Sequence, residues 1–448
     1  MSTLRSLAST GVVGDIRRTA RETPLERERH ADLLRAIAIG AVVLGHWLVV
    51  LVTYDDERGL DGRSALGVVG WADPVTWLFQ VMPVFFLVGG YANAASWRSS
   101  RRRGDTTADW LLGRCRRLLR PTTVFLAVVA AVAVVARTAG MDPELVGTAA
   151  WLAALPLWFL VVYLVAVGLT PVMHALHERV GLAVPAVLTA LVGLGDLARL
   201  GLEVPYVGEA NYLLAWLAIH QVGFAWQDGR LPTRPAVAAP IAITGVVAVV
   251  GLTVFGPYPL SMVAVPGEEV QNTAPPTLAL MALALAQLGL VLLLRAPADR
   301  WLARSHRAWT AVVAVNAVVL TIFLWHMAAV VVAAALLVPT GLVPQPTPGS
   351  AEWLLWRVPW LAVLLVILAV LVAAFAWAEL SARGRVPPGG PGRGALTRLG
   401  LAATVTGLLF VGLSGRGDHG PGGLPTEALL GYGVGAVLLA LAARPSRR

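Results

Sequence analysis

Residues 33–53, LLRAIAIGAVVLGHWLVVLVT, decide the fold because they form an apolar run long enough to cross a bilayer. Comparable runs recur along the 448 residues, of which 57% are hydrophobic and 14% are charged. A soluble domain carries about 25% charged residues, so this composition excludes a soluble enzyme and a disordered chain. Only helices and closed barrels satisfy the backbone in lipid, and these runs are too long for barrel strands. We therefore expect an all-α, polytopic transmembrane helix bundle.

Twelve apolar runs are present, and we expect each of them to be a membrane-spanning helix. The runs lie near residues 33–53, 74–96, 122–137, 149–169, 182–198, 211–226, 235–255, 276–294, 311–337, 354–378, 397–414 and 427–443. If the N-terminus is inside, 28 of the 35 arginines fall in inner segments and six in outer loops. Positive charge collects in cytoplasmic loops, so this distribution favours twelve spans with both termini in the cytoplasm.

Composition divides the chain into four segments. Residues 1–30 are a basic cytoplasmic segment, 31–380 the membrane bundle, 381–396 a Gly/Pro-rich cytoplasmic linker, and 397–448 two additional helices with a basic tail. The net charge of +9 comes from arginines beside the apolar runs, which indicates membrane orientation and not nucleic-acid binding. The single cysteine, Cys115, excludes an intrachain disulfide and a multi-cysteine metal site, and we expect no metal.

The first predicted helix carries three ionisable residues, Asp32 just before the apolar run and Arg35 and His46 within it, and such residues within a membrane are functional candidates. Asp32 and Arg35 are three residues apart, so they can pair on one helical face. Arg35 and His46 are eleven residues apart, about three turns, which places them on nearly one face about 16 Å apart. The alternative is that Asp32 and Arg35 form an interfacial anchor and that His46 only hydrogen-bonds in the core.

A second candidate, Arg114 and Arg117, precedes the third run. These arginines also share a helical face, and guanidinium forks suit bidentate binding of phosphate. They could hold a phosphorylated cofactor at the cytoplasmic side, but a basic cluster there also serves as a topology determinant or a lipid headgroup contact.

Other polar residues in the apolar runs are expected to have structural roles. We expect those of the second, sixth and ninth runs to hydrogen-bond between helices. These residues are Asn93, His220, Gln221 and Asn316. Glu379 is expected to reach water at a helix end.

Five segments resemble, in order, motifs of the acyltransferase family 3 integral-membrane proteins. They are residues 26–50, with an Arg and a His separated by ten residues, 83–91, 114–121, 157–160 and 321–327. Residues 83–91, PVFFLVGGY, are similar to the family's Phe-Phe-x-x-Ser-Gly-Tyr/Phe segment, with Gly89 where the family usually has Ser. Residues 114–121 resemble its Arg-x-x-Arg motif. The resemblance covers about residues 26–378.

The resemblance implies an enzyme of bacterial plasma membranes. It would move an acyl group, often acetyl, from cytoplasmic acyl-CoA to a hydroxyl or amine of a carbohydrate, cell-envelope or lipid-linked acceptor. His46 would be the essential histidine, with Arg35 as its paired arginine. Arg114 and Arg117 would lie near the CoA phosphates. The family core has about ten helices, so the last two runs would be an addition.

Further roles follow from the chemistry. Asp32 is expected to orient Arg35, and His46 to act as a general base on the acceptor. His326, in a family-like segment, either contacts the acceptor or bonds between helices, and Tyr91 is a second possible acceptor residue. Direct transfer and an acyl-His46 intermediate both remain open.

A second class of protein also fits the residues. A multi-span transporter could use the stripe of Asp32, Arg35 and His46 as a proton or substrate path. Against a transporter, no clear internal repeat is found, and the charged residues cluster at one edge of the bundle.

Overall fold

The computed structural model describes most of the chain. The described residues are 28–55, 59–384, 392–415 and 423–444, with isolated positions at 14, 18, 21, 22 and 386. Most of the basic segment expected at 1–30, and residues 385 and 387–391 of the linker expected at 381–396, therefore lie outside the described residues. Within them, the one sheet is an antiparallel hairpin of two strands.

Fourteen α-helices of at least twelve residues account for most of the described chain, and a four-residue helix, Thr76–Phe79, comes before the second of them. They are α1 Arg29–Val49, α2 Met82–Arg102, α3 Thr107–Thr138, α4 Pro143–Ala154, α5 Leu157–Val180, α6 Ala183–Asp196, α7 Asn211–Gln227, α8 Pro235–Val254, α9 Leu278–Arg304, α10 His306–Ala317, α11 Val319–Leu337, α12 Ala351–Leu380, α13 Arg393–Leu413 and α14 Thr426–Ala442. The strands are β1 Val50–Asp55 and β2 Gly59–Ser64. The all-α polytopic bundle is confirmed.

Each of the twelve apolar runs coincides with helix, and ten helical segments are long and apolar enough to cross a membrane. The two runs that fall short are α7 and α14, each 17 residues long. α7 packs against α2, α5 and α6, and α14 packs along α13 and against α3. Protein therefore surrounds much of α7. This helix carries two polar side chains, His220 and Gln221, and both are fully buried. By length and apolarity, ten helical segments are candidate spans where about twelve were expected.

Three runs end or break earlier than their hydrophobicity predicts. The first was expected to stay helical to residue 53, but α1 ends at Val49 and β1 begins. The residues that follow, VLVTYD, are rich in β-branched side chains and pair with β2. The run at 149–169 is divided into α4 and α5 around Pro156, and the run at 311–337 is divided at Val318.

The arginine motif was expected to precede the third span, but it lies inside the same helix, α3. A capping box starts α3 early, because the Thr106 hydroxyl accepts from the Asp109 N–H while the Asp109 carboxylate accepts from the Thr106 N–H. Pro121 lies within the helix. The hydroxyls of Thr122 and Thr123 donate to the Leu118 and Leu119 carbonyls one turn back, next to the Arg117 carbonyl that would accept from residue 121 if it carried an N–H.

The centre of the bundle is built on a close contact between α2 and α7. A Cβ at Gly90 would lie 1.9 Å from the His220 carbonyl oxygen, and one at Gly223 would lie 2.2 Å from the Leu87 carbonyl oxygen. Only glycine permits this approach, which is the usual device for close helix contacts in membranes. α1 packs against α2, α9, α10 and α11. The polar face of α1 therefore points into the bundle.

Candidate active site

The polar residues at the start of α1 form one hydrogen-bonded group with α10. Arg35 Nη1 lies 3.3 Å from Asp32 Oδ1, as their spacing predicts. The same nitrogen donates to Asn316 Oδ1 over 3.4 Å, and Asn316 Nδ2 donates to the Asp32 carbonyl over 2.8 Å. The interhelical role expected of Asn316 is thus confirmed. These contacts orient the Arg35 guanidinium from two helices.

Two histidines lie side by side on α1 and α11. The ring centroids of His46 and His326 are 5.1 Å apart. His46 Nδ1 bonds to the Val42 carbonyl over 2.9 Å, and His326 Nδ1 bonds to the Phe323 carbonyl over 2.6 Å. A carbonyl oxygen can only accept, so each Nδ1 carries a proton. In the neutral rings each Nε2 therefore keeps its lone pair.

The two rings differ in exposure. His326 is fully buried, and its Nε2 has no hydrogen-bond partner among the described residues. His46 is half-buried. Trp47 Nε1 donates to the His326 carbonyl over 2.9 Å, which ties α1 to α11 beside the pair. A buried polar atom without a partner is costly, so the Nε2 of His326 is an atom that a substrate hydroxyl can satisfy.

Glu379 caps the helix that carries His326. Its Oε2 accepts from the N–H of Thr321 over 2.8 Å and from the Thr321 hydroxyl over 2.7 Å, and its Oε1 accepts from the N–H of Leu320 over 3.3 Å. The side chain is buried, so the expectation that Glu379 reaches water is wrong. The break at Val318 exposes the first N–H groups of α11, and a carboxylate is the favoured partner there.

Replacing Glu379 by alanine should destabilise the protein. The N–H groups of α11 would stay buried without an acceptor, at a cost of about 1–3 kcal/mol. A lower melting temperature of the purified protein would show this. Glu352→Ala, on the exposed first turn of the same helix α12, is the matched control and should change the melting temperature little. Equal melting temperatures for both variants would contradict the capping role.

The two motif arginines lie differently on α3. Arg117 is exposed, whereas Arg114 is half-buried. Arg114 Nη2 donates to Asn93 Oδ1 and lies 3.4 Å from the Tyr163 hydroxyl. Asn93 Nδ2 in turn donates to His220 Nε2 over 2.9 Å, which confirms the interhelical role expected of both residues. The Nε of Arg114 is buried and has no partner among the described residues.

Tyr163 occupies the space beside Gly89. A Cβ at Gly89 would lie 2.7 Å from the ring of Tyr163 and 3.3 Å from its hydroxyl. A serine at this position would therefore displace the ring. The hydroxyl that lies next to Arg114 is therefore that of Tyr163, and residue 89 contributes none. The sequence offered no signal for Tyr163, because a lone tyrosine in an apolar run is usual.

Aromatic rings connect the arginine to the histidine pair. The ring of Phe323 lies 6.0 Å from that of His326 and 5.3 Å from that of Phe159. Phe159 stacks on Tyr163 at 5.5 Å, and Tyr163 contacts Arg114. Phe159 and Phe323 belong to the two short family-like segments at 157–160 and 321–327. These segments thus form an aromatic wall between Arg114 and His326.

Tyr91 lies away from the histidine pair. Its ring packs 5.1 Å from that of Trp226, and Trp226 packs 6.1 Å from His30 at the start of α1. The structure thus brings His326 to His46 but places the other possible acceptor residue at the Arg35 end of α1.

An apolar cavity of about 320 Å³ lies between α2, α6, α7, α8 and α9. Its wall is almost wholly aliphatic, and neither histidine nor either arginine of the candidate site lines it. Cavity size therefore does not identify the site, which is defined by the chemistry of its side chains.

The family model described as an acyltransferase domain, Acyl_transf_3, matches residues 30–378. No curated protein and no solved structure matches the chain. Because the match covers well over half of the chain, the chain belongs to this family of membrane-spanning acyltransferases. The matched residues include Asp32, Arg35, His46, Tyr91, Arg114, Arg117 and His326, and they end before α13 and α14.

Proposed function

We propose that this acyltransferase takes an acyl group, in particular acetyl, from acyl-CoA and transfers it to a hydroxyl or amine of a carbohydrate, cell-envelope or lipid-linked acceptor. The paired Nε2 lone pairs of His46 and His326, joined by aromatic rings to Arg114, support this function. A base, an acceptor-binding nitrogen and a phosphate-binding cation are the groups that such a transfer requires.

His46 is the general base in this proposal. Its Nε2 takes the proton of the acceptor hydroxyl while the hydroxyl oxygen bonds to the thioester carbonyl carbon. The C–S bond then breaks, and the leaving thiolate takes the proton back from His46. The Nδ1–H bond to the Val42 carbonyl holds the ring in the required tautomer. The half-buried ring of His46 suits this exchange better than the fully buried ring of His326.

Arg114 and Arg117 hold the phosphates of the donor. Arg117 is exposed and meets the charged end first, while the Nε of Arg114 supplies a buried donor deeper in the bundle. The aromatic wall of Phe159 and Phe323 then guides the acyl arm towards His46. Arg35, oriented by Asp32 and Asn316, adds a third cation to the donor side.

His326 positions the acceptor through its Nε2, and Tyr91 is a weaker candidate because it lies against Trp226. We place the protein in a bacterial plasma membrane with both termini in the cytoplasm, an orientation that puts 28 of the 35 arginines on the cytoplasmic side. We also propose that the chain is divided into a basic segment at 1–30, the membrane bundle at 31–380, a linker at 381–396 and the additional helices with their tail at 397–448.

Acyl-CoA should stabilise the purified protein. A ligand that binds only the folded state at a hundred times its Kd adds about 2.7 kcal/mol of stability, so the melting temperature should rise saturably with acetyl-CoA. Free CoA and a longer acyl-CoA, measured in parallel, separate recognition of the phosphates from recognition of the acyl group. No rise with any of the three at millimolar concentration would overturn the dependence on acyl-CoA.

A further inference from the structure

The last two helices, α13 and α14, form a helical hairpin outside the family match. Their contact is close. A Cβ at Gly407 would lie 2.3 Å from the Tyr432 amide nitrogen, and one at Gly435 would lie 2.4 Å from that of Thr404. Helices that approach this closely pack as one unit. The hairpin rests on α3 and α5 of the matched core.

Arg393 connects the hairpin to the first turn of α3. The side chain is buried, and its Nη1 lies 2.6 Å from Asp109 Oδ1. Its Nε also donates to the Ala442 carbonyl over 2.9 Å, at the end of α14. Asp109 is the same residue that closes the capping box with Thr106. One carboxylate therefore both starts α3 and ties it to the hairpin.

Tyr432 makes the second connection. Its buried hydroxyl lies 2.7 Å from the Thr123 hydroxyl and 3.3 Å from the Leu119 carbonyl oxygen. These partners flank Pro121, where α3 lacks one of its own N–H donors. A bond from another helix supports the backbone at the point where α3 can bend most easily.

The two connections bracket the arginine motif. Asp109 precedes Arg114 by five residues, and Leu119 follows Arg117 by two. Asp109 and Leu119 are ten residues apart, which corresponds to about 15 Å of helix. Fixing α3 at both points fixes the direction in which the two guanidinium groups leave it.

We infer that the α13–α14 hairpin positions Arg114 and Arg117 for the donor, with Arg393 and Tyr432 as the positioning residues. This role rests on the proposed function, in which the two arginines bind acyl-CoA. The hairpin acts only through α3 and touches no reacting atom.

Tyr432→Phe and Arg393→Gln test this role by steady-state kinetics of the full-length protein in nanodiscs. Each variant should raise the KM for acetyl-CoA between about twofold and tenfold and leave kcat nearly unchanged, because one hydrogen bond or ion pair to α3 is lost. Tyr206→Phe and Arg398→Gln, both at exposed positions, are the matched controls and should keep the wild-type KM. Variants with wild-type KM, or with kcat alone reduced, would overturn the inference.

A double-mutant cycle distinguishes positioning from general damage. If Tyr432 acts through Arg114, Tyr432→Phe should have little further effect on KM in an Arg114→Gln background, whereas independent effects would multiply. Independent effects would contradict the inference.

Hydrogen exchange separates the inference from the proposed function. Tyr432→Phe should speed exchange of the α3 amides between Asp109 and Thr123. If the wild type neither binds nor turns over acetyl-CoA, the proposed function fails, and faster exchange in the variant still shows that the hairpin holds α3. Unchanged exchange would overturn the inference whatever the donor is.

Discussion

His46→Ala should lose nearly all turnover and keep its affinity for acyl-CoA. A positioned general base contributes about a hundredfold to ten-thousandfold to a rate, and His46 is the half-buried histidine of the pair, with its Nδ1 bonded to the Val42 carbonyl and its Nε2 left to act as the base. The alanine leaves Arg114 and the aromatic wall intact. Stabilisation of the variant by acetyl-CoA should therefore equal that of the wild type.

Release of CoA measures the turnover of this variant, and the melting temperature measures its binding of donor. His306→Ala, at an exposed position on α10, is the matched histidine control and should have full activity. If His46→Ala retains full activity, His46 is not the base. If it loses both activity and stabilisation by acetyl-CoA, its role is structural or lies in donor binding.

Arg114→Gln should abolish most of the stabilisation by acyl-CoA. The variant loses a charge-assisted donor to phosphate and disturbs the contacts with Asn93 and Tyr163. A lost hydrogen bond to a charged group costs about 1.5–3 kcal/mol, which is roughly a tenfold to hundredfold rise in Kd. Thermal titration with acetyl-CoA measures this rise.

Variants of two neighbouring arginines test whether the loss of acyl-CoA binding is specific to Arg114. Arg117→Gln should raise the Kd less, because Arg117 is exposed and solvent weakens its interaction with a phosphate. Arg116→Gln is the control, since residue 116 leaves α3 on a different face and should keep the wild-type Kd. Equal losses at all three positions would indicate a general effect of basic charge and contradict a specific site.

Much of the fold follows from hydrophobicity alone. Runs of about 20 apolar residues have no other solution in a bilayer than a helix, so all twelve runs coincide with helices. The points at which these helices end or break could not be predicted from hydrophobicity, because they depend on tertiary contacts. The end of α1 at Val49 depends on pairing with β2, and the start of α11 depends on Glu379, 58 residues further along the chain from Thr321.

Part of the candidate site could likewise be predicted from the sequence, and part of it could not. Spacing predicted the pairing of Asp32 with Arg35, because both partners lie on one helix. The proximity of His46 and His326 is a contact between α1 and α11 that no local pattern encodes. Tyr163 could not be predicted for the same reason, because it is singled out only by its contacts with Gly89 and Arg114, which lie on two other helices.

Transfer of labelled acetyl groups distinguishes an acyltransferase that uses His46 from a transporter. The purified protein in nanodiscs would be given acetyl-CoA with a radioactive acetyl group and an extract of cell-envelope carbohydrates and lipids. We predict that label enters the extract in step with the release of CoA, and that His46→Ala transfers none. If the wild type neither releases CoA nor moves label, while Asp32, Arg35 and His46 still support uptake of a proton or solute into vesicles, the protein is a transporter and acyl transfer from acyl-CoA is wrong.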